Sequence, residues 1–89
     1  MAQSTVELIN RLGLHARAAA KFVRTSSQFV AQIHVRHNDE EVNGKSILGL
    51  LLLAAPCGSR LTLIATGTDE NAAIAALEAL IQDRFGEGE

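Results

Sequence analysis

Two stretches in which apolar and polar residues alternate, Ala31 to Arg36 and Arg60 to Thr66, are each followed or preceded by segments whose apolar residues recur at three- and four-residue steps. A strand of the first kind has one face to bury and a helix of the second kind has one stripe, so the two must cover each other. That requirement limits the chain to layered folds. In order, Thr5 to Ile9 reads as a short strand with Val6 and Leu8 on one face, and Asn10 to Leu14 as the loop that follows. A helix over Ala16 to Gln28 comes next, favoured by Ala16, Ala18, Ala19 and Ala20 and buried through Ala19, Phe22, Val23 and Ser26.

Ala31, Ile33 and Val35 then form the inner face of a strand that turns at Asn38-Asp39 into a second one around Glu41-Val42. Ser46 stands at an N-cap position ahead of the apolar run Ile47 to Ala55, and Pro56 with Gly58 stops that run. Its length suits a short helix, although periodicity alone also allows a buried strand. Leu61, Leu63 and Ala65 make a further strand that Gly67 ends. The last helix opens at Asp69, with Glu70 favouring its positive end, and its stripe is Ala73, Ile74, Leu77, Leu80 and Ile81, through to about Arg84. Residues 86–89, Gly-Glu-Gly-Glu, read as a frayed tail. The expected fold is α/β (α+β): an open-faced antiparallel sandwich in the order βαββαβα, one domain over residues 1–89.

Composition removes several function classes. A chain of 89 residues has room for one modest core, and only Phe22, Phe29 and Phe85 are aromatic, so base stacking is disfavoured. The formal charge of −2 lacks the cationic excess of a nucleic-acid binder. Cys57 is the sole cysteine, so no internal disulfide forms and no Cys/His cluster offers metal-ligand spacing; no metal or cofactor is expected, and the thiol fits a reducing cytoplasm. Met1-Ala2-Gln3-Ser4 has no signal-peptide pattern, and the longest apolar run falls far short of the ~20 residues that span a bilayer. No membrane insertion is expected.

The chemistry concentrates at Gly13-Leu14-His15-Ala16-Arg17, which puts a histidine where the first helix opens and its unpaired amides and dipole converge. A cation is disfavoured in that field, so a neutral ring keeps a lone pair for attack on phosphorus, and the same amides can then hold phosphoryl oxygens. Arg17 opposes the dipole at a cost of about 0.3–1 kcal/mol, which a phosphoryl group in a guanidinium fork would offset. A solvent-exposed His and Arg at an ordinary helix start is the competing reading. Arg17, Lys21 and Arg24 fall on one stripe, either a solvated face or a surface that steers an acidic partner. In the second helix Leu50 and Leu53 are assigned to the core, leaving Ile47, Leu48 and Leu51 as an exposed patch. His34 and His37 read as surface residues and Cys57 as a loop thiol. Gly44-Lys45-Ser46 looks like the end of a phosphate-binding P-loop, but Asp39 stands where that motif needs glycine, so nucleotide binding is rejected.

Gly-Leu-His-Ala-Arg at 13–17, together with Asn43-Gly44-Lys45-Ser46-Ile47, resembles the two signatures of the HPr family, the histidine-containing phosphocarriers of the bacterial phosphotransferase system. The resemblance extends over almost the whole chain. It implies an open-faced sandwich of four strands and three helices, a phosphoryl group accepted at Nδ1 of His15, and stabilisation of that group by Arg17. It implies Ser46 as a regulatory phosphorylation position, with a serine kinase/phosphorylase as its modifier, although Ser46 alone reads as a plain N-cap. It implies enzyme I as donor, enzyme IIA domains as acceptors, docking over Ala20, Lys21, Arg24, Ile47, Leu48 and Leu51, a monomeric state, and a carrier rather than an independent enzyme. Many family members carry proline after the arginine, where this chain has Ala18; the departure leaves open whether the branch is sugar uptake or a nitrogen-related or catabolite regulator acting as a phosphorylation-dependent binding module.

Overall fold

The structure is a computed structural model that describes residues 1–87. Its elements are β1 (Ala2–Glu7), α1 (Ala16–Ser26), β2 (Gln32–His37), β3 (Glu40–Asn43), α2 (Ile47–Leu52), β4 (Arg60–Thr66) and α3 (Glu70–Gln82), followed by a 3₁₀ turn over Arg84–Gly86. The four strands form one antiparallel sheet in the order β1-β4-β2-β3 with the helices on one face, which is the expected open-faced βαββαβα sandwich. Register explains the one-sided core. Ile33 sits opposite Ala65, Val35 opposite Leu63 and Val6 opposite Leu61, so the apolar members of three strands share the covered face. They pack with Ala18, Ala19 and Phe22 of α1, Leu50 of α2, and Ala73, Ile74, Leu77 and Ile81 of α3.

Several boundaries differ from the sequence reading. β1 begins at Ala2 and ends at Glu7, so Leu8 and Ile9 lie beyond it, although Leu8 still exchanges backbone hydrogen bonds with Gly58 and Ser59. α1 stops at Ser26, whose hydroxyl donates to the carbonyl of Gly44 at 2.8 Å. α2 ends at Leu52, because Ala54 takes a left-handed φ of 50° before Pro56 is reached. α3 ends at Gln82 rather than Arg84. Ile64, which alternates with Leu63 and Ala65, is buried at 9% exposure on a strand flanked by two others, opposite Gln3 and His34. His37, expected in the turn, closes β2 opposite Glu40.

Asp69 occupies the N-cap position of α3, but its side chain makes no cap bond. Its carboxylate instead accepts the amides of Val30 and Ala31, both at 2.8 Å, and so ties the end of the loop after α1 to the start of α3. Those bonds, Val30's first, hold its pKa below the ordinary 3.8 despite the opposing effect of desolvation. A depressed carboxylate contributes stability that is present above its unfolded pKa and lost as pH falls through the folded value. Asp69→Asn is therefore expected to lower Tm at neutral pH and to flatten the loss of Tm below about pH 4; thermal unfolding at pH 7 and pH 3 checks both.

Candidate functional site

His15 is itself the N-cap of α1, with extended backbone (φ −87°, ψ −179°), and its carbonyl accepts the first intrahelical bond from Ala19 at 2.8 Å. Three things put it there. Gly13 has a φ of +65°, and a Cβ at that position would lie 2.5 Å from the carbonyl oxygen of Ala55, so no other residue fits the turn unchanged. Leu14 donates its amide to that same carbonyl at 2.9 Å and buries its side chain. Asn10, fully buried, closes the loop: Gly13 donates its amide to the Asn10 carbonyl, and Asn10 Nδ2 donates back to the Gly13 carbonyl at 2.7 Å.

The amides of Ala16, Arg17 and Ala18 precede the first intrahelical bond, and α1 has no acidic residue in its first turn. The carboxylate missing from the helix comes from the opposite end of the chain. Glu87 Oε2 lies 2.5 Å from His15 Nε2, and Glu87 Oε1 accepts a second hydrogen bond from Asn10 Nδ2 at 3.0 Å. Side-chain exposure is 27% for His15 and 11% for Glu87, so the ring is reachable from solvent while its partner is nearly covered. Desolvation pushes the Glu87 pKa up, but the bonds from Asn10 and His15 and the charges of His15 and Lys21 outweigh it and leave the carboxyl below its ordinary value.

Residues 86–89 were expected to be a frayed tail; Gly86 and Glu87 are placed in a turn after α3, and Gly88 and Glu89 lie outside the described residues. After α3, Arg84, Phe85 and Gly86 adopt φ values of 52°, 54° and 74°, a left-handed run that reverses the chain. Such a conformation costs on the order of 1 kcal/mol at each non-glycine residue. Burial of the Phe85 ring, 1% exposed, offsets this by about 1.5–3 kcal/mol, and Lys21 Nζ donates to the Phe85 carbonyl at 2.5 Å. A cleft of about 280 Å³ opens beside the turn, lined by Arg11, Leu12, Arg17, Lys21, Gly86 and Glu87.

Arg17 lines this cleft together with Glu87, whose carboxylate also contacts His15 outside the cleft lining. Lys21 is also there, but its ammonium is committed to the Phe85 carbonyl rather than held out for a partner. Arg24 is exposed and Ala20 half-buried further along α1. Leu50 and Leu53 are core residues, and Ile47, Leu48 and Leu51 are exposed on α2, which packs beside α1. Leu12, on the cleft, and Leu52, on α2, are each about two-thirds exposed and were not singled out from sequence. Ser46 caps α2, its Oγ accepting the Gly49 amide at 3.0 Å. His34, paired with Glu41 at 3.7 Å, and Cys57 are far from this chemistry in role and lie at the surface.

Gly13→Ala is expected to cost about 1–3 kcal/mol through steric overlap with Ala55 and Pro56, and to loosen the His15–Glu87 contact. Denaturant unfolding measures the first effect, and the His15 ring resonances in NMR report the second.

Comparison with known proteins identifies the family. Residues 2–83 match the family model described as the PTS HPr component phosphorylation site. The phosphocarrier protein HPr of Neisseria meningitidis is 52% identical over 89 residues, covering both chains completely. A crystal structure of HPr-C-His from Thermoanaerobacter tengcongensis superposes with a TM-score of 0.95 at 47% identity, covering 98% of each chain. Crh, the Bacillus subtilis catabolite repression containing protein, matches with a TM-score of 0.76 at 40% identity over 94% of this chain and 97% of that one. With signature, fold and site geometry in agreement, the chain belongs to the HPr family of phosphotransferase-system phosphocarriers.

Proposed function

We propose that His15 is the phosphoryl acceptor, that it reacts through Nδ1, and that the chain ferries phosphate from enzyme I to enzyme IIA domains during sugar uptake. The observation that supports this most directly is the ring's position. His15 caps α1, is partly open to solvent, and has Nε2 engaged by Glu87, which leaves Nδ1 as the ring nitrogen for phosphorus. The first-turn amides of α1 and the Arg17 guanidinium then supply donors for the phosphoryl oxygens. The chain is a carrier rather than a catalyst with a turnover of its own.

The exposed Ile47, Leu48 and Leu51 of α2 supply apolar side chains for docking, with Leu12 on the cleft and Arg24 exposed on α1. Among the described residues no helix is long and apolar enough to cross a membrane. Incubation with enzyme I and phosphoenolpyruvate is expected to give a heat- and acid-labile phosphoramidate on this chain. A His15→Ala variant that still acquired it would remove the assignment.

Ser46 favours a regulatory layer on the same surface. A phosphate there would add about −1.5 to −2 charge at the start of α2, directly before Ile47 and Leu48. A helix start tolerates that charge, but an apolar docking surface does not, because the partner would have to desolvate it. Ser46→Asp is expected to slow phosphoryl acceptance from enzyme I, chiefly by raising the half-saturating concentration, with Tm little changed; steady-state transfer assays and thermal unfolding separate the two.

A further inference from the structure

We infer that Glu87 is a positioning residue for the phosphoryl transfer: its carboxylate holds the His15 ring with hydrogen on Nε2 and the lone pair on Nδ1. The inference rests on the reading of His15 as the acceptor. A carboxylate can only accept hydrogen bonds, so a contact of 2.5 Å between Glu87 Oε2 and His15 Nε2 requires the hydrogen to sit on Nε2. Asn10 fixes the other oxygen. Its Nδ2 faces two acceptors, the Gly13 carbonyl at 2.7 Å and Glu87 Oε1 at 3.0 Å, so the amide cannot be turned round without setting oxygen against oxygen. The carboxylate is thereby aimed at the ring by a fully buried side chain belonging to the loop that carries His15.

The rest of the C-terminal turn serves the same placement. Phe85 is buried in the core, its carbonyl is held by Lys21, and the Glu87 amide donates to the Arg84 carbonyl at 3.0 Å. A side chain only a few residues from the end of the sequence is thus held from three directions and one-tenth exposed.

In the transfer, the Nδ1 lone pair of His15 forms a bond to phosphorus as the nitrogen–phosphorus bond of the donor's phosphohistidine breaks and its electron pair returns to the donor ring. No proton has to cross. The donor ring, protonated on its other nitrogen in the phosphohistidine, leaves as neutral imidazole, and the His15 ring keeps its Nε2 hydrogen and takes on positive charge, which the Glu87 carboxylate faces. The carboxylate therefore orients the nucleophile before reaction and stabilises the ring charge that develops during it, as the buried carboxylate does for histidine in hydrolytic triads.

The test compares Glu87→Ala and Glu87→Gln with the parent chain. Nitrogen-15 NMR of the His15 ring, at about pH 8.5 where imidazole is ordinarily neutral, reads the tautomer, and rapid-quench phosphorylation by enzyme I reads the rate. Expected for Glu87→Ala are a lower Nε2–H share and acceptance roughly tenfold slower, the effect of one charge-assisted hydrogen bond. Glu87→Gln, which keeps an acceptor oxygen without the charge, should fall between. Tm should stay close to the parent's in both variants. An unchanged tautomer with unchanged rate overturns the inference. So does a slower rate with an unchanged tautomer, because Glu87 would then act on partner binding instead. Neither result touches the acceptor assignment, which fails only if His15→Ala is still phosphorylated.

Discussion

The seating of Gly13 and Leu14 against the carbonyl of Ala55 organises everything functional in this chain. One backbone oxygen receives the Leu14 amide and leaves no room for a side chain at Gly13, so the loop before α1 can lie in only one way against the segment after α2. That contact decides where α1 begins and makes His15 its N-cap. It also draws α2 alongside α1, with Leu51 and Leu52 within four residues of the tie. His15 and the exposed apolar side chains of α2 are therefore coupled by a main-chain contact rather than by side chains that could vary independently. The sheet contributes by having its apolar residues in register on one face, so that it needs cover from the helices on that face alone.

Much of this is legible in the amino-acid sequence, for reasons that can be named. Alternation at 31–36 and 60–66 and the stripes of α1 and α3 are short-range patterns, and short-range patterns survive into the fold whenever one face is buried. The exposed leucines of α2 follow from geometry, since a helix on one side of a sheet cannot bury its whole circumference. His15 and Arg17 are visible because their chemistry is local to one helix start.

What was not legible depends on contacts between distant segments. Asp69 has the residue type and position of an N-cap, yet two amides 38 and 39 residues earlier compete successfully for its carboxylate. The early end of α2 rests on Ala54 in a left-handed conformation, which alanine does not announce. Glu87 is the most instructive case. Gly-Glu-Gly-Glu has every compositional mark of a loose end, and only the burial of Phe85 and the strained turn it maintains bring the carboxylate to the ring. The one available signal was Phe85 itself, an isolated aromatic just past the last helix that must find a core to enter.

The electrostatics of the cleft bear on why a carboxylate belongs beside a residue that is to receive an anion. Among the described residues the cleft is lined by three cations, Arg11, Arg17 and Lys21, and one carboxylate, Glu87, an excess of two positive charges. A phosphoryl group brings about −1.5 to −2 at neutral pH. Glu87 faces the positive charge that the phosphorylated ring takes on; without it that charge would add to those of the three cations nearby. A carrier must release what it accepts, and binding that is too favourable lowers the rate of the onward step. Glu87 stands against Nε2, on the far side of the ring from the reacting nitrogen, so it tempers the field without occupying the phosphoryl position.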